Sequence, residues 1–183
     1  MKATEILMEE HRVIERVLVS LEKAAKQLYS GKAIPAEFFL KAADFIKGFA
    51  DGCHHQKEEG VLFKSLVSNG MPEDSGPVAA MLFEHEEGRR FTHSMQDAAE
   101  KLKSGDETVI ADITKNALEY VALLRAHINK EDSVLFPLSD RVIPVEQHQK
   151  ISDAFDHIEK EETGVGVHEK YLAIADELEK MVA

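Results

Sequence analysis

Apolar residues recur along the chain at alternating intervals of three and four positions, which is the period of an amphipathic α-helix. The first segment shows this period in Leu7, Ile14, Leu18 and Leu21, and three comparable segments follow it. Glycine and proline residues interrupt the pattern between the segments. Four long amphipathic helices with short connections predict an all-α fold, an antiparallel up-down four-helix bundle.

Two shorter helical stretches follow the fourth segment, at about 145–162 and 168–182. The length of 183 residues suits one domain with a substantial core. We therefore expect residues 1–140 to form the bundle and residues 141–183 to form a helical extension packed on or beside it. The two additional C-terminal helices also make a homodimer plausible as the oligomeric state.

Charge and cysteine content narrow the range of functions. The formal charge of −12 disfavours binding to nucleic acid and to anionic membranes. No apolar run reaches membrane-spanning length, so we expect a cytoplasmic protein. The single cysteine excludes an internal disulfide framework and a cysteine-rich metal site. Nine histidines remain, which makes imidazole and carboxylate the available metal ligands.

The core-facing stripes contain an internal repeat. Segments 54–63 and 127–136 both read His-x-x-Lys-Glu-acidic-x-Val-Leu-Phe. Upstream, His11 and His85 form a second matched pair, and each follows a glutamate. The separation between the upstream histidine and the repeat is nearly the same in both halves. The chain is therefore a duplicated helix pair in which each half supplies one His and one His-x-x-x-Glu.

Residues four apart lie on one helix face, so each His-x-x-x-Glu directs an imidazole and a carboxylate inward. Buried groups of this kind are costly unless they are paired or coordinated. Four histidines and two carboxylates are too many for one tetrahedral zinc ion, but they suit two metal ions bridged by two carboxylates. Iron fits these donors best, followed by manganese, with zinc or copper as alternatives. The candidate metal ligands are His11, His54, Glu58, His85, His127 and Glu131.

This ordered set of motifs resembles the hemerythrin-like family, also called the HHE cation-binding domain, over roughly residues 4–140. The resemblance implies a four-helix bundle around two non-haem iron ions with an oxo or hydroxo bridge. It also implies that Glu58 and Glu131 bridge the ions and that the four histidines are terminal ligands. Oxygen carriers of this family bind O2 reversibly, while other members sense oxygen or iron, handle nitric oxide, or serve iron–sulfur repair.

The sequence departs from the oxygen carriers, which have two histidines one turn apart on the third helix. Here Arg89 stands four residues after His85. His55 and Glu15 are the candidates for a substitute ligand. His55 lies about 100° around an α-helix from His54, so we expect it to lie beside the ligands or at the partly exposed edge of the site.

The carriers also place an aspartate five residues after the last histidine, which corresponds here to Asp132. The internal repeat favours Glu131, and both residues stay open as ligands. We expect the chain to bind iron and O2 or a related small molecule, for sensing, scavenging or storage, rather than to act as an enzyme. The alternative is a di-iron redox enzyme of the peroxidase, O2- or nitric-oxide-reducing, or iron–sulfur repair type. The sequence assigns no separate catalytic residues and no organic cofactor.

Several other polar residues have simpler interpretations. Glu10 and Glu84 either are solvated or orient a ligand imidazole. Gly88 either opens space for a small ligand or allows close packing against a bulky neighbour, and Tyr120 is expected in the core. The remaining histidines are expected at the surface: His93, His148, His157 and His168.

Overall fold

The structure is a computed structural model that describes residues 2–164 and 166–183. It is 88% helical and forms no strand within these residues, which confirms the all-α fold class. The six helices are α1 (Ala3–Tyr29), α2 (36–68), α3 (Gly76–Lys103), α4 (110–142), α5 (His148–His157) and α6 (Val167–Met181). Short 3₁₀ turns at Glu107–Val109 and Val145–Gln147 precede α4 and α5, and a π-helical segment, Ile158–Gly164, extends α5.

Helices α2 and α4 each change from α- to π-helical hydrogen bonding where the repeated motif lies. In a π-helix each N–H bonds five residues back instead of four, which widens the turn. Such segments are often found at functional sites. The π-helical parts of α2 are Ile46–His55 and Glu58–Leu62, and that of α4 is Glu131–Leu135.

The first four helices form the bundle predicted from the sequence. Helix α1 packs against α4, α4 against α3, and α3 against α2. The pairing of Lys2 with Asp140 and of Glu22 with Arg125 shows that α1 and α4 run antiparallel. The short connections make the other sequence neighbours antiparallel as well.

The apolar core is divided into two clusters along the bundle axis. The major cluster fills one end and includes Phe38, Phe45 and Met95. The minor cluster fills the other end and includes Leu7 and Phe136. On all four helices, the inward His and Glu positions lie between the residues of the two clusters. A polar layer is thus enclosed between two apolar ones.

The C-terminal helices pack on the α1–α2 side of the bundle. The guanidinium of Arg16 on α1 pairs with Asp176 at 2.5 Å and with Glu179 at 2.8 Å, both on α6. The ring of Tyr171 lies directly over Gly48 of α2, where a Cβ atom would come within 1.7 Å of the tyrosine hydroxyl. The division of the chain into domains at residue 140 stays a prediction.

Within the described part of the chain, no helix has an apolar stretch sufficient to cross a lipid bilayer.

Candidate metal centre

The histidines and glutamates singled out in the sequence meet at one level of the bundle. Each of the six side chains is at most 1% exposed. They come from all four bundle helices: His11 from α1, His54 and Glu58 from α2, His85 from α3, and His127 and Glu131 from α4.

Glu131 lies inside this layer, and Asp132 lies at its edge. One oxygen of Glu131, Oε2, is 3.2 Å from Nε2 of His11 and 3.2 Å from Nε2 of His127. Asp132 instead contacts Nδ1 of His11 from outside, at 2.7 Å, and forms an ion pair with Arg12. Of the two acidic residues left open by the sequence, Glu131 is therefore the one directed inward.

Glu58 occupies the position related to Glu131 by the internal repeat. Its Oε1 is 3.6 Å from Nε2 of His54, and its Oε2 is 3.4 Å from Nε2 of His85. Burial raises the pKa of Glu58 well above its usual value, and the nearby carboxylate of Glu131 raises it further. Burial acts on Glu131 in the same direction, but the imidazoles beside it outweigh that effect and lower its pKa. The pKa values of the two buried carboxylates are therefore shifted in opposite directions.

Each imidazole in the layer is held from outside by a carboxylate at Nδ1. The His54 Nδ1 lies 2.9 Å from Glu10 Oε2, and Glu10 also accepts a hydrogen bond from the ammonium of Lys57. Burial alone would raise the pKa of Glu10, but His54 and Lys57 outweigh it and lower that pKa. Glu10 is thus an ionised buried carboxylate, and of the two interpretations left open by the sequence the orienting contact is the one observed.

The second half of the repeat reproduces this arrangement. The His127 Nδ1 lies 2.9 Å from Glu84, which also pairs with Lys130. A carboxylate that accepts the Nδ1 proton of an imidazole leaves Nε2 free to donate its lone pair to a cation. This is the arrangement that orients metal-binding histidines in proteins.

Arg89, which stands where the oxygen carriers have a histidine, connects two of these outer carboxylates. Its guanidinium lies 2.6 Å from Glu59, which contacts Nδ1 of His85 at 2.6 Å. It also lies 3.5 Å from Asp51, which contacts Nδ1 of His55 at 2.8 Å. Arg89 therefore holds in place the two carboxylates that orient His85 and His55.

His55 lies inside the layer, which corrects the expectation that it sits beside the ligands or partly exposed. Its side chain is buried, and its ring stacks on that of His85 with centroids 3.8 Å apart. The physical reason is the π-helical turn, which rotates successive residues less than an α-helix does and so keeps His54 and His55 on the inner face. Glu15, the other candidate, is partly exposed and pairs with Arg12 at 3.1 Å.

The inward-facing donors fall into two groups with a shared carboxylate. In each group, the donor atoms lie within 4.8 Å of one another. The first group is His11, His54, Glu58 and Glu131, and the second is His55, Glu58, His85 and His127. We call these seven residues the inner cluster. Its imidazole and carboxylate donors suit iron, manganese or zinc.

Several buried atoms of the inner cluster form no hydrogen bond, although two imidazole nitrogens approach Glu131 to 3.2 Å without the alignment that a hydrogen bond needs. They are Nε2 of His11 and His54 and both carboxylate oxygens of Glu58 and Glu131. Burying polar atoms without partners costs about 1–3 kcal/mol for each group. A cation bound between them would remove that cost, so the residues present fit a metal centre.

A third group of possible ligands lies at the edge of the first and consists of Glu10, Glu159 and His168. The ammonium of Lys57 already pairs with both of its glutamates. This group is accordingly a partly exposed ion-pair network, in which the ammonium of Lys57 is the cation.

The other histidines and the Gly88 region fall outside the inner cluster. His93 and His157 are exposed and His148 is partly exposed, whereas the ring of His168 lies against Phe49. A Cβ atom at Gly88 would lie 3.4 Å from the ring of Tyr120, so close packing against this ring is the interpretation that the structure favours.

Sequence analysis offered Glu10 and Glu84 as residues that orient an imidazole, but it missed the contacts of Lys57, Lys130 and Glu59. Their signal was present, because the lysine and the second acidic position of the motif are repeated in both halves. The contacts of Asp51 and Arg89 have no counterpart in the other half of the chain and carry no such signal.

A family comparison agrees with this geometry. The model for the hemerythrin HHE cation-binding domain matches residues 2–139. The chain belongs to the hemerythrin HHE cation-binding family. The resemblance inferred from the His and Glu motifs is thereby confirmed, and the hemerythrin domain with its buried His and Glu groups fits a metal-binding protein.

The chain also has relatives among curated proteins. It is similar to uncharacterized protein Mb2018 of Mycobacterium bovis and to uncharacterized protein Rv1995 of Mycobacterium tuberculosis, with 25% identity over 162 residues in both cases. The match covers 88% of this chain but 63% of each relative, so the chain spans less than two thirds of their length. No solved structure matches the chain.

Proposed function

We propose that the chain binds two metal ions, iron by preference, in the inner cluster, and that it binds O2 or a related small molecule there for sensing, scavenging or storage. The observation that carries this proposal is the set of buried polar atoms without hydrogen-bond partners, namely Nε2 of two histidines and all four oxygens of Glu58 and Glu131. Two cations would satisfy these atoms together and offset the charge of the carboxylates.

The distances support one ion in each donor group. Glu58 belongs to both donor groups, and Glu131 contacts a histidine of each group. Both carboxylates are therefore suited to bridge. His11 and His54 complete one donor set, which has four side chains. The other set contains three histidines, because His55 supplies the imidazole that the carriers take from the third helix.

Bound iron would supply the position at which O2 or a similar molecule binds. The chain's own residues fix the imidazoles through their Nδ1 contacts and exclude water through the two apolar clusters. A surface groove of about 700 Å³ runs beside the second donor set and is lined in part by Glu59, Phe63 and Leu82. The ring of Phe63 lies 6.0 Å from that of His85, so this groove is the proposed approach for a small molecule.

The proposal is tested by loading the metal-free chain with Fe(II) under argon, counting bound iron after desalting, and recording the visible spectrum under argon, in air and again under argon. We expect two iron ions per chain and a spectral change that reverses when air is removed. His85→Gln should reduce the iron content, whereas His93→Gln, on the same helix but exposed, should not. Absence of bound iron in the unaltered chain would overturn the proposal.

A second candidate, a redox enzyme, is favoured by the unequal donor sets. With Glu58 and Glu131 counted for both ions, one ion would be held by four side chains and the other by five, so the first ion would keep more positions for other ligands. This inequality suits a centre that activates a peroxide or nitric oxide at one ion. A spectral change that does not reverse under argon, together with consumption of added peroxide or nitric oxide, would favour this candidate over reversible binding.

A further inference from the structure

Lys57 is a fully buried lysine that connects the metal centre to the C-terminal helices. Its ammonium donates to Glu10 and, at 3.1 Å, to Glu159 in the segment that extends α5. Glu10 in turn accepts from Nδ1 of His54. A continuous series of polar contacts therefore runs from an inner-cluster imidazole to a residue of the C-terminal extension.

The corresponding lysine in the other half of the repeat differs in its surroundings. Lys130 pairs with Glu84 just as Lys57 pairs with Glu10. The Lys130 side chain is 44% exposed, however, while that of Lys57 is 0% exposed. Within the described residues, no carboxylate of the C-terminal helices pairs with Lys130. The lysine that contacts the extension, Lys57, is therefore buried, whereas the related Lys130 remains in contact with water.

Burial strengthens the ion pair between Lys57 and Glu10. In a site of low dielectric constant an ion pair is electrostatically stronger than in water, and loss of one partner leaves a costly unpaired charge. If the extension moved away, water would reach Lys57 and Glu10, and the orientation of His54 would be less strictly fixed. The same movement would break the contacts of Arg16 with α6 and of Tyr171 with Gly48.

We propose that docking of the C-terminal extension and metal binding at His11 and His54 are coupled through Glu159, Lys57 and Glu10. The inference rests on the metal binding proposed above and adds a means by which metal occupancy is transmitted to the surface. Lys57 and Glu159 are positioning residues, since they act on the metal through Glu10 and His54. Such coupling is reciprocal: a factor by which docking tightens metal binding is the factor by which metal tightens docking.

The coupling is measured by amide hydrogen exchange in α6, with and without Fe(II) under argon. In the unaltered chain we expect Fe(II) to slow exchange in α6 by about tenfold, within the usual range of coupling between two sites. Lys57→Met should abolish this slowing. Lys130→Met, measured at Fe(II) concentrations that saturate both sites, is the matched control, because Lys130 pairs with Glu84 and not with the extension, and it should leave the slowing intact.

A second pair of variants keeps both lysines and measures metal affinity by competition with a chelator. Glu159→Gln should weaken binding of one of the two Fe(II) ions by about tenfold, at the lower end of the effect of outer contacts on metal affinity. Glu169→Gln is the control, because Glu169 is exposed on α6 and, among the described residues, pairs neither with the bundle nor with the series, and it should leave the affinity for both ions unchanged.

Two results would overturn the inference. One is equal exchange in α6 with and without Fe(II) while two ions are bound, which leaves the metal-binding proposal standing. The other is an equal slowing in Lys57→Met and the unaltered chain. Failure of the unaltered chain to bind Fe(II) would instead overturn both proposals.

Discussion

Each inner-cluster imidazole is held at Nδ1 by an outer carboxylate, and this arrangement explains the repeated sequence motif. His54 and Glu58 face the interior, while Lys57 and Glu59 turn outward to a carboxylate and an imidazole of neighbouring helices. Every polar position that the motif repeats therefore has a defined contact. A substitution at an outward position should change metal affinity without touching the metal.

His55 is the residue whose role the structure changes most. Ile128 occupies its position in the other half of the repeat, so isoleucine suits the helix at this point. His55→Ile should weaken binding of one of the two metal ions by at least about tenfold, since even outer contacts contribute this much. Chelator competition under argon measures the effect, with His93→Ile as the exposed control. If His55→Ile bound each of the two ions as tightly as the unaltered chain does, His55 would not be a ligand.

Tyr120 carries a buried hydroxyl group that has no hydrogen-bond partner. Burial raises the pKa of this hydroxyl well above its usual value, so the group is neutral. Leaving such a group unpaired costs about 1–3 kcal/mol. Tyr120→Phe should therefore raise the free energy of unfolding of the metal-free protein by about 1 kcal/mol or more, measured by urea denaturation. The exposed Tyr29→Phe should have little effect, and a clear loss of stability in Tyr120→Phe would show that the hydroxyl is paired.

At the scale of elements, the C-terminal helix is held on the bundle by close packing as well as by ion pairs. A methyl group at Gly48 would overlap the Tyr171 side chain, with 1.7 Å to the hydroxyl and 2.0 Å to Cζ. Overpacking of this kind typically costs about 1–3 kcal/mol, against about 1 kcal/mol gained in helix propensity. Gly48→Ala should therefore destabilise the protein and speed amide exchange in α6.

Gly60 provides the matched control because it lies in the other π-helical part of α2. A Cβ atom there would meet no other atom within 4 Å. Gly60→Ala should be neutral or stabilising by up to about 1 kcal/mol. If Gly48→Ala were equally neutral in thermal unfolding and in exchange, α6 would not depend on this close contact.

The elements also show which features a sequence can predict. The four long helices and the inward His and Glu residues followed from a regular period of 3.6 residues, and the structure has them as predicted. His55 did not follow, because a π-helical turn alters that period and depends on packing around it. The position of α6 could not be predicted from the sequence either. It depends on the packing of Tyr171 over Gly48 and on ion pairs between residues far apart in sequence.

At the scale of the whole molecule, the polar layer between the two apolar clusters contributes unfavourably to the stability of the metal-free protein, because its buried polar atoms lack hydrogen bonds. A ligand that binds the folded chain but not the unfolded chain stabilises it by about 4 kcal/mol at a thousand times its Kd. For a chain of this size each kcal/mol corresponds to about 2–4 °C in Tm. We therefore expect Fe(II) under argon to raise Tm by about 10 °C in calorimetry. Mg²⁺, which prefers oxygen ligands, should produce no such shift, and an equal Tm with and without Fe(II) would contradict this prediction.

The central claim is that two metal ions lie in the inner cluster, and anomalous diffraction from crystals of the iron-loaded chain at the iron absorption edge tests it most directly. We predict two peaks per chain, one beside His11 and His54 and the other beside His55, His85 and His127, both adjacent to Glu58 and Glu131. A single peak in the inner cluster, or peaks only elsewhere, would contradict the account.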